Sequence, residues 1–469
     1  MKKGFLFVWM LRLVPLLVFS IKVNGEDQIE KPNIVIIFSD DQGYGDLGCY
    51  GNNALRTPNI DKMASEGMLF TDFYMAAAVC TPSRAALLTG SYPQRVGLPS
   101  VLFPNNMSGG QLNGMALGLN PKEITVAELL KSAGYNTACI GKWHLGDLPQ
   151  FMPLNHGFDE YFGLPYSNDM LPENLYHNFD SLPLYDGQKI IEKNPNQDSL
   201  VKRYTGKAKD FIKKNKDRPF FLYLAHNMPH RPCHASPEFI PNHNFSEKQL
   251  AGIHGENKES RDFLYPATIE ELDWSVGEIL KTLKKQNLES NTLVIFTSDN
   301  GPAVGSSGVL KGRKGSMNEG GLRVPCIMSW KGTVPAGTVC SQIAASIDLY
   351  PTLANLANVD IPKDRMIDGI DITDYVLGNT GVCLRRDFFY LDQKKGLKAI
   401  RNGHWKLFPG KKPQLYDLDR DVSEQRNVAG HYPEIVDQLT QRSTTFEKQL
   451  NNQKREPGLF PVPEKTKKY

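Results

Sequence analysis

Four apolar, β-rich segments of the chain each end abruptly in polar residues. They are residues 34–38, followed by Ser39-Asp40-Asp41; residues 135–140, followed by Gly141-Lys142-Trp143-His144; residues 220–225, which lead toward His226 and His230; and residues 293–297, followed by Ser298-Asp299-Asn300-Gly301. Continuous hydrophobicity is typical of strands that are buried on both faces of a parallel sheet. Functional groups in such sheets collect beyond the carboxyl ends of the strands. The pattern therefore predicts a polar cluster at one edge of a mostly parallel sheet.

Helical patterns lie between these segments. Thr125 and Glu128 have capping-box spacing, and Gly134 can end that helix. Over residues 267–286 the apolar positions fall on one helical face. We therefore expect an α/β fold, a large mixed and mostly parallel sheet sandwiched by helices.

The pattern changes after about residue 360. Short segments alternate with turn signals, among them Asn402-Gly403, which between two short strands predicts a hairpin. A polar helix is predicted over residues 433–450. We assign residues 26–360 to a main domain and residues 361–469 to a smaller C-terminal α+β subdomain with a small antiparallel sheet and a helix.

The first 25 residues have the order of a secretory signal peptide. Two lysines precede an apolar stretch over residues 4–20, and the small residues Val23 and Gly25 precede the expected cleavage position. An uncleaved anchor is the alternative, but Arg12 and Pro15 shorten the apolar run. Since no later segment approaches 18 apolar residues, we predict an exported chain without a stable membrane span. It would be secreted, periplasmic or lysosomal according to the host.

Charge and cysteine content narrow the function classes. The 469 residues carry 54 Lys and Arg against 51 Asp and Glu, a net charge of +3. This balance lacks the basic excess of a dedicated nucleic-acid-binding protein. Seven cysteines in so long a chain do not make a disulfide scaffold, and their odd number leaves at least one unpaired or used otherwise.

One of these cysteines lies in the most distinctive local segment, Cys80-Thr81-Pro82-Ser83-Arg84. Thr81 can cap a helix, with Pro82 at its first position, so Cys80 is expected just before a helix N-terminus. Free N–H groups there favour an anion, and Arg84 can reach the same region. Taken alone, a cysteine in this position is more often a buried structural residue.

The segment fits the C-x-P-S-R signature of type I, formylglycine-dependent sulfatases, which are arylsulfatase-like members of the alkaline-phosphatase-like superfamily. The resemblance continues in order along most of the chain. Further matches are Leu88-Thr89-Gly90, Pro32-Asn33-Ile34-Val35 before Asp40-Asp41, Thr57-Pro58-Asn59-Ile60-Asp61, Gly141-Lys142-Trp143-His144-Leu145-Gly146, Ser298-Asp299-Asn300-Gly301, Lys314-Gly315 through Glu319-Gly320-Gly321, Asp348-Leu349-Tyr350-Pro351-Thr352-Leu353 and Leu415-Tyr416-Asp417-Leu418. So long an ordered set does not arise by accident.

The resemblance implies a sulfuric ester hydrolase whose catalytic domain is residues 26–360. During export, a formylglycine-generating maturation enzyme would oxidise Cys80 to formylglycine. The resemblance also implies one divalent cation, Ca²⁺, which suits an all-oxygen ligand set. Its expected ligands are Asp40, Asp41, Asp299, Asn300 and the modified Cys80.

The same resemblance assigns catalytic roles. Arg84 should stabilise the hydrated aldehyde, Lys142 and Lys314 should hold the sulfonate oxygens, and His144 should take a proton from the hydrated aldehyde. His230 should contact the sulfate or protonate the leaving oxygen. His226 and Lys311 are the rivals of His230 and Lys314; the Met228-Pro229-His230-Arg231-Pro232 and Lys314-Gly315 contexts match the family better.

Three other functions remain open on the sequence. The first is a phosphate or phosphonate monoester hydrolase of the same superfamily, the second a non-catalytic binding protein, and the third an enzyme with unmodified Cys80 and His144 as nucleophile and base. The last leaves the two acidic pairs unexplained. We expect a sulfated small molecule or glycan, either an aryl or a carbohydrate sulfate ester, as substrate. Residues 101–120 and 164–197 should form its specificity loops.

Overall fold

The structure, a computed structural model, describes residue 1 and residues 31–463 apart from 173, 175, 176, 241–257, 382, 383 and 386, with only the backbone of 258–262. The predicted signal peptide, residues 1–25, thus lies outside the described residues except for Met1. Across these described ranges, no helix combines the length and the apolar character that crossing a bilayer requires.

The strands and helices follow one another along the whole described chain. The strands are β1 (Asn33–Ser39), β2 (Met68–Phe70), β3 (Phe73–Tyr74), β4 (Gln111–Leu112), β5 (Met115–Gly118), β6 (Asn136–Gly141), β7 (Glu160–Gly163), β8 (Pro183–Asp186), β9 (Lys189–Lys193), β10 (Phe220–Ala225), β11 (Thr292–Ser298), β12 (Cys326–Ser329), β13 (Thr338–Cys340), β14 (Ala344–Ala345), β15 (Asp387–Asp392), β16 (Gly396–Asn402), β17 (Trp405–Phe408), β18 (Gln414–Asp417) and β19 (Gly458–Pro461). The α-helices are α1 (Pro58–Ser65), α2 (Cys80–Thr89), α3 (Val126–Ser132), α4 (Leu200–Lys214), α5 (Lys258–Lys285), α6 (Glu319–Leu322), α7 (Leu349–Leu356), α8 (Thr373–Val376) and α9 (Pro433–Asn452).

A ten-stranded mixed sheet in the order β13-β2-β12-β11-β1-β10-β6-β7-β8-β9 forms the centre of the fold. Its four middle strands, β11, β1, β10 and β6, are all parallel. These are the four apolar segments that the sequence singled out. In register, Phe38 pairs with Ala225 and Ser39 with Ser298, so the polar residues that follow the strands meet at one edge.

Strand β1 shows why the apolar runs are continuous. Ile34 and Ile36 pack into a core with α2, α3 and α7, whereas Val35 and Ile37 pack on the other face with α1, α4 and α5. All four side chains have 0–1% exposure. Each contributes roughly 1.5–3 kcal/mol by burial. Helices therefore cover both faces, and the predicted fold class is confirmed.

Two helix starts differ from the sequence expectation. Helix α2 begins at Cys80 itself, after Val79. The prediction that Thr81 caps it is wrong, because the Thr81 hydroxyl accepts a hydrogen bond from the backbone N–H of Leu102 at 3.1 Å. Helix α5 is described from Lys258 and runs through Pro266, whereas the sequence pattern indicated a helix only from residue 267. The capping box of Thr125 and Glu128 is present as predicted.

The C-terminal part contains an antiparallel sheet, β15-β16-β17-β18, against which α9 packs. The predicted hairpin joins β16 to β17, with Asn402 paired to Trp405 and Gly403 in the left-handed region at φ 55°. After α9 the chain returns to the main body, where β19 pairs with β5. The boundary at residues 360 and 361 stays a prediction.

Candidate active site

The ends of β1 and β11 bring two acidic pairs into contact. The backbone N–H of Asp41 donates to Asp299 Oδ1 at 3.0 Å, and Asn300 Nδ2 donates to Asp41 Oδ1 at 2.7 Å. Asp40, Asp41, Asp299 and Asn300 are all buried, at 0–1% exposure. The structure thus unites the four proposed oxygen ligands, which lie far apart in sequence.

Three cations surround these carboxylates. From α2, Arg84 reaches Asp299 Oδ2 at 3.0 Å and Asp40 Oδ2 at 3.4 Å. Lys142 donates to Asp40 Oδ2, and Lys314 Nζ lies 2.6 Å from Asp41 Oδ1. We call these six charged residues the strand-end cluster: Asp40, Asp41, Asp299, Arg84, Lys142 and Lys314. Its formal charges cancel.

The pKa values of two carboxylates in this cluster are shifted in opposite directions. Burial raises the pKa of Asp40, but Lys142, His230, Arg84 and Lys314 outweigh it and hold that pKa well below its ordinary value. Burial, together with the negative charge of Asp40, raises the pKa of Asp299. The carboxylates of Asp40 and Asp299 therefore repel each other, and an added positive charge at this edge would stabilise their ionised forms.

Unused oxygens indicate where such a charge would bind. Asp40 Oδ1 and Asn300 Oδ1 are buried and have no hydrogen-bond partner within the described part of the chain. Donor atoms of Asp40, Asp41 and His230 lie within 4.8 Å of one another, close enough to hold a metal ion. Buried polar atoms without partners are costly, so these oxygens fit a hard divalent cation.

The backbone carbonyls beside the two histidines fix their tautomers. Leu102 O lies 2.8 Å from His144 Nε2, so that nitrogen carries the proton. His144 Nδ1 is left as a proton acceptor, without a hydrogen-bond partner among the residues described. Burial, then Lys142, lowers the pKa of His144, which keeps the ring neutral and basic at Nδ1.

His230 is arranged the other way round. Its Nδ1 faces the carbonyl of Arg231, and its Nε2 lies 3.6 Å from Asp41 Oδ2. Burial, then Lys314, lowers the pKa of His230. Its side chain keeps 9% exposure and that of Lys314 21%, whereas the Lys142 side chain is fully buried. His230 and Lys314 therefore lie toward solvent.

Cys80 is the first residue of α2 and has 2% exposure. Burial raises the pKa of its thiol, and the lysines Lys142 and Lys314 do not offset that effect. The thiolate is the reactive form of cysteine. A protonated, buried thiol argues against unmodified Cys80 as the nucleophile.

The structure separates the rival residues. His226 Nε2 lies 3.1 Å from the Ser275 hydroxyl on α5, away from the strand-end cluster. Lys311 Nζ donates to the carbonyl of Glu424 at 2.9 Å. Of each pair, the residue that the sequence context favoured lies in the cluster or contacts it.

Two contacts were missed by the sequence reasoning. Ser167 Oγ accepts from Lys142 Nζ at 3.1 Å, and Leu102 supplies the carbonyl that orients His144. Both lie in the predicted specificity loops, but a loop serine and a backbone carbonyl carry no motif. Asp41 and His144 also have left-handed backbones, at φ 63° each, an unusual conformation that is concentrated at functional sites.

Comparison with known proteins agrees with this geometry. The profile of the sulfatase family matches residues 32–359, and that of the N-sulphoglucosamine sulphohydrolase C-terminal region matches residues 312–449. Arylsulfatase A of Homo sapiens is 37% identical over 467 residues, covering 87% of this chain and 86% of that protein. N-acetylgalactosamine-6-sulfatase of Canis lupus familiaris is 38% identical over 400 residues, covering 80% and 71%.

Solved structures give the same result. Ps i-CgsB, crystallised in complex with k-i-k-neocarrahexaose, superposes with a TM-score of 0.76 at 31% identity, covering 92% of this chain and 95% of that one. Phosphonate monoester hydrolase of Agrobacterium radiobacter, at 21% identity and a TM-score of 0.63, shares the fold. The chain belongs to the sulfatase family, within the alkaline-phosphatase-like superfamily. The predicted family and the predicted enzyme class, a sulfatase, are confirmed.

Proposed function

We propose that this sulfatase hydrolyses its sulfate ester through a formylglycine made from Cys80. The observation that carries the proposal is the strand-end cluster, in which Arg84, Lys142 and Lys314 converge on buried carboxylates whose charges act on Cys80. The hydrated aldehyde would supply an oxygen nucleophile that the protonated thiol does not. A formylglycine-generating enzyme is then a required partner, and the predicted signal peptide would bring the chain to it.

We further propose Ca²⁺ as the cation, held by Asp40, Asp41, Asp299, Asn300 and the modified residue 80. When bound, it would supply positive charge that polarises the nucleophilic hydroxyl. Asp40 Oδ1 and Asn300 Oδ1, which have no hydrogen-bond partner among the described residues, support this, as does the all-oxygen donor set. Arg84 would hold the orientation of Asp40 and Asp299, which it contacts directly.

Charge arithmetic supports an anionic ester, such as a sulfate ester, as the bound group. The strand-end cluster is neutral, so a divalent cation leaves a surplus of two positive charges. A sulfate ester carries one negative charge, and Lys142 and Lys314 can each donate to its oxygens. Donors aimed at developing charge in a buried site are the largest source of rate enhancement in many enzymes.

The tautomers of His144 and His230 support a different proton transfer for each histidine. His144 Nδ1 accepts no hydrogen bond from the residues that the structure describes and would take the proton from the nucleophile. His230 Nε2 can donate only when the ring is cationic, because Nδ1–H is already turned to the Arg231 carbonyl. The incoming sulfonate anion would favour that cation. The His230 side chain keeps 9% exposure, and the leaving alcohol would depart on that side.

The substrate class that we propose is an aryl or carbohydrate sulfate. Ps i-CgsB, which is 31% identical to this chain, was crystallised in complex with k-i-k-neocarrahexaose, and this supports a sugar sulfate. Loops 101–120 and 164–197 touch the catalytic residues through Leu102 and Ser167. Turnover of a panel of sulfated glycans, an aryl sulfate and matched phosphate esters would identify the class; comparable phosphate turnover would contradict a dedicated sulfatase.

Mass spectrometry of the Cys80 peptide tests the nucleophile. Protein from a host with a maturation enzyme should show loss of the thiol and a hydrazine-reactive aldehyde, in proportion to its activity. Cys80→Ala is the control and should be inactive with an unchanged fold. A free thiol in fully active protein would refute the proposal.

A further inference from the structure

The segment that carries Lys314, residues 309–319, is held by residues of the C-terminal part of the chain. At its start, the Ser423 hydroxyl donates to Val309 O at 2.6 Å, and Lys311 Nζ donates to Glu424 O at 2.9 Å. At its end, Lys406 Nζ donates to the Met317 carbonyl at 3.0 Å. The segment is therefore anchored on both sides of Lys314.

Glu424 connects the anchors at the two ends of segment 309–319. Its Oε2 accepts the backbone N–H of Glu319 at 2.8 Å, and its Oε1 lies 2.9 Å from Lys406 Nζ. It is fully buried and has a left-handed backbone, φ 50°, which is rare for a residue other than glycine. Such a conformation persists only where surrounding contacts enforce it.

Glu319 makes the anchor rigid. Its Oε1 accepts from Tyr390 at 2.6 Å and from Lys406 at 2.9 Å, and its Oε2 accepts from Tyr74. We call the charged residues of this region the C-terminal ion cluster: Asp72, Glu319, Glu424, Arg323, Arg401 and Lys406. Strands β15, β16 and β17 each contribute to it or to its hydrogen bonds.

We infer that Glu424 is a positioning residue for Lys314. It acts through segment 309–319, whose placement sets the contact of Lys314 Nζ with Asp41. The C-terminal part is thus a component of the catalytic apparatus, although its cluster lies outside the set that would touch the sulfate. The match to the profile of the sulphohydrolase C-terminal region begins at residue 312, so it includes both Lys314 and Glu424.

The inference rests on the proposed role of Lys314, so the test is a double-mutant cycle between the two residues. Glu424→Ala should lower kcat/KM about 10- to 100-fold, since a misplacement of about 1 Å can cost about 10² in rate. It should divide the loss between kcat and KM in the same proportion as Lys314→Ala. In the Lys314→Ala background, Glu424→Ala should cost less than about twofold, because coupled residues are not additive.

The control variants separate positioning from general destabilisation. Asp368→Ala breaks the buried ion pair with Arg95. Among the described residues, neither partner of this pair forms a hydrogen bond or ion pair with segment 309–319, so the variant should leave kcat/KM of the folded fraction unchanged. Glu424→Gln keeps an oxygen for the Glu319 N–H and should restore most of the activity. Hydrogen exchange of peptide 309–319 should rise in Glu424→Ala and stay constant in Asp368→Ala.

The outcomes that overturn the inference are distinct from those that overturn the proposed function. Losses that multiply in the double variant, or unchanged exchange in segment 309–319, would reject Glu424 as a positioning residue. An active Lys314→Ala enzyme would reject the sulfonate role of Lys314 instead, and with it the functional part of the inference. If Glu424→Ala does not fold, Ser423→Ala removes one exposed anchor and enters the same cycle with a smaller expected loss.

Discussion

The strand-end cluster and the C-terminal ion cluster have the same net formal charge, but their carboxylates differ in hydrogen bonding and in pKa. Each combines three carboxylates with three cations in a buried environment. In the first, Asp40 Oδ1 has no hydrogen-bond partner among the described residues, and burial beside Asp40 raises the pKa of Asp299. In the second, both oxygens of Glu319 accept hydrogen bonds. Glu424 Oε1 accepts none among the described residues, but it lies 2.9 Å from the Lys406 ammonium.

The pKa of Glu319 shows the consequence. Burial raises it, but Lys406, Arg401 and Arg323 outweigh burial and lower that pKa well below its ordinary value. A carboxylate with lowered pKa stabilises the folded state at neutral pH, and this contribution is lost only as the pH falls through the folded value. The C-terminal ion cluster therefore contributes to stability through Glu319. In the strand-end cluster the lowered pKa of Asp40 acts in the same direction, but the raised pKa of Asp299 opposes it, which leaves capacity for a cation.

The largest expected effect is on activity in the strand-end cluster. Asp299→Asn should lower kcat/KM by about 10³-fold or more, because it removes the negative charge that holds Arg84 and would hold the cation. The free energy of unfolding of the metal-free protein should change by less than about 1 kcal/mol, since the lost carboxylate is one that burial disfavours. Kinetics and denaturant unfolding measure both, with exposed Asp371→Asn as the matched control. A large loss of stability in Asp299→Asn would show that the strand-end cluster stabilises the fold as the C-terminal ion cluster does.

The second effect is on stability in the C-terminal ion cluster. Glu319→Ala leaves Lys406 and Arg323 without their shared carboxylate, and breaking a buried pair in this way costs about 3–5 kcal/mol. Denaturant unfolding should show this loss directly. A cost below about 1 kcal/mol would mean that the cluster does not hold the C-terminal sheet in place.

The third effect distinguishes the leaving groups. His230→Ala should slow the hydrolysis of sugar sulfates by about 10²–10⁴-fold and that of an activated aryl sulfate far less, because a phenol of low pKa leaves without protonation. Comparing kcat/KM on both substrates measures this. An equal loss on both would show that His230 binds sulfate and does not donate a proton.

The smallest effect is cation binding. Ca²⁺ at ten times its dissociation constant should raise the free energy of unfolding by about 1.4 kcal/mol. Asp41→Asn should abolish this increment, and Lys406→Met, in the other cluster, should retain it. Thermal unfolding with and without Ca²⁺ gives the result, and an increment that survives in Asp41→Asn would place the cation elsewhere.

Much of the fold was predictable because its signal is local. A strand buried on both faces needs an uninterrupted apolar run, which is visible in residues 34–38 without any knowledge of its neighbours. The pairing of β19 with β5 was not predictable, because β5 gives only four residues and its partner follows α9 at the far end of the chain. Pairing across such separations leaves no mark in either segment.

The candidate site divides in the same way. Sequence motifs predicted Asp41, His144 and Lys314 as site residues. The position of Asp41 and His144 just after apolar strands gave a physical reason to expect them at one edge of the sheet. The Thr81 cap failed because a hydroxyl that suits an N-cap is used for a tertiary contact with Leu102. The contacts that hold segment 309–319 in place were likewise not predictable from the sequence, because backbone carbonyls accept several of these hydrogen bonds.

The burial of Cys80 also imposes an order in time. A side chain with 2% exposure, closed in by the ends of β1, β6 and β11, is beyond the reach of another protein's active site. Any enzyme that oxidises it must therefore act while the nascent chain is still open. Among the described strands of the ten-stranded sheet, the last to be synthesised is β13, which begins at Thr338, 258 residues downstream of Cys80. Biosynthesis itself thus provides an interval, set by translation, in which the cysteine is accessible and the sheet is unfinished.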